Sequence, residues 1–111
     1  MSETVWLFSY GTLRQREVQL ATFGRELTGE PDTLEGWTLA TVLIRDESVV
    51  ATSGLAEHLI LRPGDGLVEG VAFKLTPEEL ALADAYETAD YQRIEATLNS
   101  GRRAFVYVAA D

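Results

Sequence analysis

The chain reads as a mixed α/β domain of the α+β kind, and three observations predict it. A helix with strong local start signals covers residues 76–86. Runs rich in β-forming residues lie on both sides of it. The last two of those runs flank Asn99-Ser100-Gly101, a hairpin signal. The 111 residues match one domain of ordinary size, 1–111, and nearly half of them are hydrophobic, enough for a packed core. No repeat, low-complexity tract or linker interrupts them.

Taken in order, residues 5–10 read as a strand, whose apolar run Val5-Trp6-Leu7-Phe8 enters a turn at Gly11. Residues 15–23 are a helical candidate that Gly24 ends. Gly29-Glu30-Pro31-Asp32 reads as a turn. Residues 37–44 alternate loosely, with Trp37, Leu39, Val42 and Ile44 as β-formers. Residues 45–53 begin polar and read as a loop or an edge hairpin. A short strand is expected at 57–61, a turn at Pro63-Gly64-Asp65-Gly66, and a strong strand at 68–75. The helix that follows has Thr76 as N-cap, Pro77 at its first position and Glu79 to complete a capping box. Strands at 91–98 and 102–108 close the chain.

Composition narrows the function classes. Without cysteine there is no disulfide, thiol nucleophile or thiolate metal site, and a single histidine, His58, leaves little for a metal centre. The net charge of −9, from 18 acidic and 9 basic residues, lacks the basic footprint of a nucleic-acid binder. No apolar run reaches membrane-spanning length, and the start Met1-Ser2-Glu3-Thr4 lacks the basic patch of a signal peptide, so a soluble cytoplasmic protein is expected. An anionic substrate must then be held by local donors against an unfavourable overall field.

Two segments carry candidate chemistry. Tyr10-Gly11-Thr12-Leu13 follows a strand, and such a loop can aim several backbone N–H groups at a carboxylate or an oxyanion. Gly11 suits a positive φ, a close ligand approach or a plain turn. Far downstream, Leu80, Ala83 or Asp84, and Glu87 share one helical face, so Glu87 points inward if Leu80 does. Partial desolvation and the negative helix end would both raise its pKa, as a general base near neutrality requires. The plainer reading is an exposed glutamate in a fraying last turn. Tyr91 and Arg93 share a strand face, where the tyrosine can donate its hydroxyl and the arginine can bind a carboxylate or snorkel at the rim. His58 reads as a packed residue, as do Trp6 and Trp37.

Together these residues resemble the gamma-glutamylcyclotransferase-like superfamily, especially its short gamma-glutamylamine cyclotransferase, or AIG2-like, branch. The resemblance rests on Phe8-Ser9-Tyr10-Gly11-Thr12-Leu13, Glu35-Gly36-Trp37-Thr38-Leu39, Val68-Glu69-Gly70-Val71, and Leu82-Ala83-Asp84-Ala85-Tyr86-Glu87 with Tyr91-Gln92-Arg93. It implies a small mixed β-barrel with flanking helices. It also implies Glu87 as acid/base, and the backbone amides of Tyr10, Gly11, Thr12 and Leu13 as binders of the glutamyl part. Tyr91 and Arg93 complete the expected substrate-binding set. The chain departs from the family at Glu87-Thr88, where Glu-Gly is usual, and at Ala89-Asp90, which bears on substrate identity.

The implied reaction closes a γ-glutamyl amine or peptide to 5-oxoproline and frees an amine. Its nucleophile is the substrate's own α-amine, so much of the proximity is built into the substrate. No metal or cofactor is called for. The oligomeric state is left open. A different amide or carbamoyl chemistry on this scaffold, or a non-catalytic small-molecule binding module, are the rival readings. An enzyme should bury Glu87 beside the 10–13 loop, with space for a small amino acid.

Overall fold

The structure, a computed structural model, describes residues 4–110. In chain order the elements are β1 (Val5–Ser9), a 3-10 turn (Thr12–Arg14), α1 (Arg16–Phe23), β2 (Gly29–Leu43), α2 (Glu47–Ser53), β3 (Glu57–Leu75), α3 (Pro77–Tyr86), β4 (Tyr91–Thr97) and β5 (Arg103–Ala109). The strands form one sheet in the order β2-β3-β1-β5-β4. Only β1 and β5 run parallel; the other pairs are antiparallel. The sheet curls into a half-barrel. The curl brings β4 back toward β2 and β3: Asn99 N–H, just past β4, donates to the Thr33 carbonyl of β2 at 2.9 Å, and the Tyr91 hydroxyl of β4 donates to the Leu59 carbonyl of β3 at 2.7 Å.

β1 is apolar from Val5 to Phe8 because both of its faces are covered. Successive strand residues point to opposite faces. Leu7 therefore joins Leu13, Val18, Leu75, Leu80 and Ala83 beneath α1 and α3, while Phe8 joins Leu34, Leu61, Val68 and Val106 inside the curl. Fully burying one such side chain is worth about 1.5–3 kcal/mol, so the central strand anchors both cores. β1 is also the strand whose end carries the 10–13 loop, so the loop leaves from the most constrained part of the sheet.

The capped helix forms as its residues dictate. The Thr76 hydroxyl accepts from Glu79 N–H at 3.1 Å, the Glu79 carboxylate accepts from Thr76 N–H at 3.0 Å, and Pro77 sits in the first turn. α1 ends at Gly24 with φ 73°, a left-handed cap.

Three expectations need correction. Gly29-Glu30-Pro31-Asp32 is the start of β2, paired with Phe73 to Gly70, and Pro31 is tolerated there because β2 is an edge strand. Pro63-Gly64-Asp65-Gly66 lies within β3, not in a turn. There the β2–β3 register shifts between Glu35 and Trp37, and Gly66 has the Trp37 carbonyl 2.6 Å from where a Cβ would stand. These glycines let two bent strands pass closely. Residues 47–53 form α2 in place of a loop. Asp46 caps it through Ser48 and Val49 N–H groups, and Gly54, at φ 75°, ends it. Among the described residues, no helix is long and apolar enough to cross a membrane.

Candidate active site

The chain leaves β1 at Ser9, passes the buried Tyr10 and enters the 3-10 turn. Its first intrahelical bonds run from Arg14 N–H to the Gly11 carbonyl at 3.1 Å and from Gln15 N–H to the Thr12 carbonyl at 2.9 Å. The N–H groups of Thr12 and Leu13 precede them and are the donors a helix start leaves over. Gly11 N–H reaches only the Ser9 hydroxyl, at 3.4 Å. Three consecutive donors thus stand at the end of the central strand.

Side chains hold this turn from three directions. Gln19, buried on α1, donates to the Leu13 carbonyl at 2.9 Å while its own carbonyl accepts from Leu27 N–H at 2.9 Å. The Thr12 and Tyr86 hydroxyls lie 2.7 Å apart, which fastens the turn to the end of α3. The Tyr10 hydroxyl donates to the Tyr107 carbonyl at 2.6 Å. Gln19 carried no functional signal in the sequence, because a glutamine on an amphipathic helix is ordinarily solvated.

Glu87 caps α3, its N–H donating to the Ala83 carbonyl at 3.0 Å. Leu80 and Ala83 are buried, and the helical phase carries Glu87 inward as expected. It lines the wall of a cavity together with Tyr10, Gly11, Thr12, Leu13, His58, Leu59, Tyr91 and Tyr107. Burial pushes its carboxyl up to about 8, and the neighbouring Asp84 carboxylate adds to the rise. The second cause is therefore a carboxylate on the preceding turn, where the sequence had suggested the helix end. Asp84 itself is engaged, accepting from the Tyr107 hydroxyl at 2.7 Å and pairing with Arg93 at 2.9 Å.

Arg93 accordingly stands off the cavity wall. Its guanidinium pairs with Asp84 and lies 4.8 Å from the centre of the Phe105 ring, so its place is behind Asp84. Tyr91 does line the cavity, but its hydroxyl hydrogen goes to the Leu59 carbonyl. Burial also raises the Tyr10, Tyr91 and Tyr107 hydroxyls, which keeps all three protonated across the working range. Gly11 has φ −125°, not a left-handed value, and a Cβ there would meet nothing within 4 Å. Of the three uses read from sequence, positive φ is excluded.

The cavity holds about 20 Å³, room for roughly one water-sized group. It is too small for an amino acid. Space comes from an adjoining outer cleft of about 290 Å³, lined by Arg14, Gln15, Leu55 and Glu57. The two share Gly11, Thr12, His58 and Leu59 as a common wall. His58, read from sequence as packing alone, is buried yet borders both spaces. Beyond Glu87, Thr88 and Asp90 close a short turn, with the Thr88 hydroxyl donating to Asp90 at 2.7 Å.

The family model for gamma-glutamyl cyclotransferase, AIG2-like, matches residues 7–111. No curated protein sequence matches this chain. Among solved structures, an Arabidopsis thaliana solution structure shares the fold with TM-score 0.71 at 19% identity, covering 98% of this chain and 65% of that one. A gamma-glutamyl cyclotransferase superposes with TM-score 0.75 at 16% identity, over 98% of this chain and 68% of its own. A Homo sapiens protein gives TM-score 0.73 at 17% identity, over 98% and 68%. The chain spans about two thirds of the length of these structures. At such identities the superpositions establish the fold, and the family match establishes kinship. With that match running from β1 to the last residue, the chain belongs to the gamma-glutamyl cyclotransferase, AIG2-like family.

Proposed function

We propose that this protein converts a γ-glutamyl amine or peptide to 5-oxoproline and free amine, with Glu87 as the acid/base. The observation that carries the reading is a cavity-facing carboxyl of unusually high pKa opposite three backbone donors of the 10–13 loop. A value of about 8 lies near that of an α-amino group, so proton transfer between the two is nearly balanced.

The substrate's α-ammonium fits the water-sized inner room against Glu87. The scissile amide then lies at the shared wall, and the leaving amine extends into the outer cleft. Glu87 takes a proton from the α-ammonium. The freed nitrogen attacks the γ-carbonyl carbon, forming the ring C–N bond and a tetrahedral oxyanion. Collapse of that intermediate breaks the amide C–N bond as Glu87 gives its proton to the departing nitrogen. The restored carboxylate then takes the surplus proton of the ring nitrogen, leaving a neutral lactam, and passes it to the free amine, which departs as its ammonium. The Gly11, Thr12 and Leu13 amides supply donors for the substrate's anionic oxygens, carboxylate or oxyanion, which the protein's negative net charge would otherwise disfavour. Small γ-glutamyl amines suit this site better than long peptides, given the size of the cleft.

Incubating purified protein with a panel of γ-glutamyl amines and peptides, with and without chelator, tests this. Mass spectrometry should find 5-oxoproline and free amine in both conditions. Free glutamate would point to hydrolysis instead. No turnover of any member would favour a binding module.

A further inference from the structure

His58 is the only histidine of the chain, and the reaction outlined above leaves it unused. It enters from β3, opposite Val42 of β2, and is held by two contacts to one ring nitrogen. Nε2 lies 3.1 Å from the Leu55 carbonyl and 3.0 Å from the Ser53 hydroxyl. A carbonyl oxygen only accepts, so Nε2 carries the hydrogen. Ser53 is itself fixed, bonding both the carbonyl and the N–H of Leu55 at 3.2 Å. The ring is thereby locked in one tautomer by the segment that ends α2.

That leaves Nδ1. Burial lowers the ring's basicity, so the imidazole is neutral near pH 7 and Nδ1 is a bare acceptor. Among the described residues, every fully buried side-chain nitrogen or oxygen has a partner, and the hydrogen bonds of the His58 ring both run through Nε2. Nδ1 is thus reachable, and the spaces that border His58 are the inner cavity and the outer cleft. Glu87 borders the first and not the second, so His58 stands at the step between them.

We propose that His58 Nδ1 accepts a hydrogen bond from the N–H of the scissile amide, and so selects γ-glutamyl amides whose leaving nitrogen bears a hydrogen. The contact rests on the proposed cyclotransferase reading and adds the leaving-group side to it. It orients the amide at the shared wall, with the carbonyl toward the 10–13 donors and the leaving chain in the outer cleft. An amide made from a secondary amine has no N–H and leaves this acceptor unpaired, which a buried polar group tolerates poorly.

Because the histidine is unique, ¹⁵N-histidine labelling reports on it alone. The protein without ligand should show Nε2 protonated and Nδ1 bare. Adding γ-glutamyl methylamide to the Glu87→Gln protein, whose turnover should be slow enough for the complex to persist, should shift the Nδ1 resonance; γ-glutamyl dimethylamide should bind and leave it in place. In kinetics, wild type should prefer the methylamide, and His58→Gln, which keeps a donor at the Nε2 position and lacks the Nδ1 acceptor, should lose about tenfold in kcat/KM on it alone. Equal losses on both amides, with a lowered melting midpoint, would make His58 structural and overturn the proposal. A protonated Nδ1, or an Nδ1 unmoved by bound methylamide while wild type still forms 5-oxoproline, would overturn it and leave the cyclotransferase reading standing. Absence of both turnover and binding would sink the two together.

Discussion

Helix α3 carries a glutamate at each end, and the two are treated in opposite ways. At the start, Glu79 closes the capping box and is gripped by Arg25 at 2.7 Å, so its carboxyl sits below the ordinary range, mainly through that hydrogen bond. At the other end, Glu87 faces a cavity and forms no ion pair among the described residues; Arg93, on β4, is taken by Asp84. Burial and Asp84 raise it to about 8. The first arrangement stabilises the fold. The second is one a fold would not retain for stability, since removing a carboxylate from water without a partner is unfavourable. The contrast supports the acid/base role proposed for Glu87.

Replacing the two residues should separate these roles, and the largest effect falls on turnover. Glu87→Gln keeps the shape of the side chain and cannot cycle a proton. It should cut 5-oxoproline release by roughly 10²–10⁴-fold. Glu79→Gln, assayed alongside, should stay near the wild-type rate.

The pH dependence of stability should also run in opposite directions. The Glu87 carboxyl is raised from 4.5 to about 8 on folding, so the folded state binds the extra proton in that window. Its contribution is present in full below about 4.5 and is lost as pH rises through about 8, at most about 1.4 kcal/mol per pH unit. Glu79 is lowered, so its contribution is present above the unfolded value and is lost as pH falls. Denaturant titrations should show Glu87→Gln flattening the decline between about pH 4.5 and 8, and Glu79→Gln flattening the loss on acidification. An unchanged slope between about 4.5 and 8 in Glu87→Gln would break the comparison.

A smaller effect concerns the loop facing Glu87. A Cβ at Gly11 has open space, so Gly11→Ala should fold with little change in melting midpoint. It should raise KM about tenfold by crowding the substrate's approach to the amides, a loss of roughly 1.4 kcal/mol. An unchanged KM would make Gly11 a plain turn residue. The smallest effect is at the helix start, where Thr76→Ala removes the cap and should cost about 1 kcal/mol without altering kcat.

These contrasts also explain what was legible beforehand. The start of α3 was readable because Thr76, Pro77 and Glu79 act within four residues, and the inward phase of Glu87 followed from Leu80 and Ala83. The partners that define its surroundings were not, since Asp84 is held by Tyr107 and Arg93 from other strands. Pro31, Pro63 and Gly64 carry turn signals that the sheet overrides, one at an edge and the others where β2 and β3 pass closely. α2 has good caps in Asp46 and Gly54, but its seven residues are too few for a helical period to stand out in the sequence. His58 was read from its strand as packing, which its burial supports, but the same burial places it on the wall of the site.

The most direct test is a carboxyl ¹³C NMR titration of glutamate-labelled protein, with Glu87 assigned by the resonance absent from Glu87→Gln. The account predicts that this resonance titrates near 8 and Glu79 below the ordinary glutamate range. A Glu87 carboxyl titrating near 4.5 would contradict it.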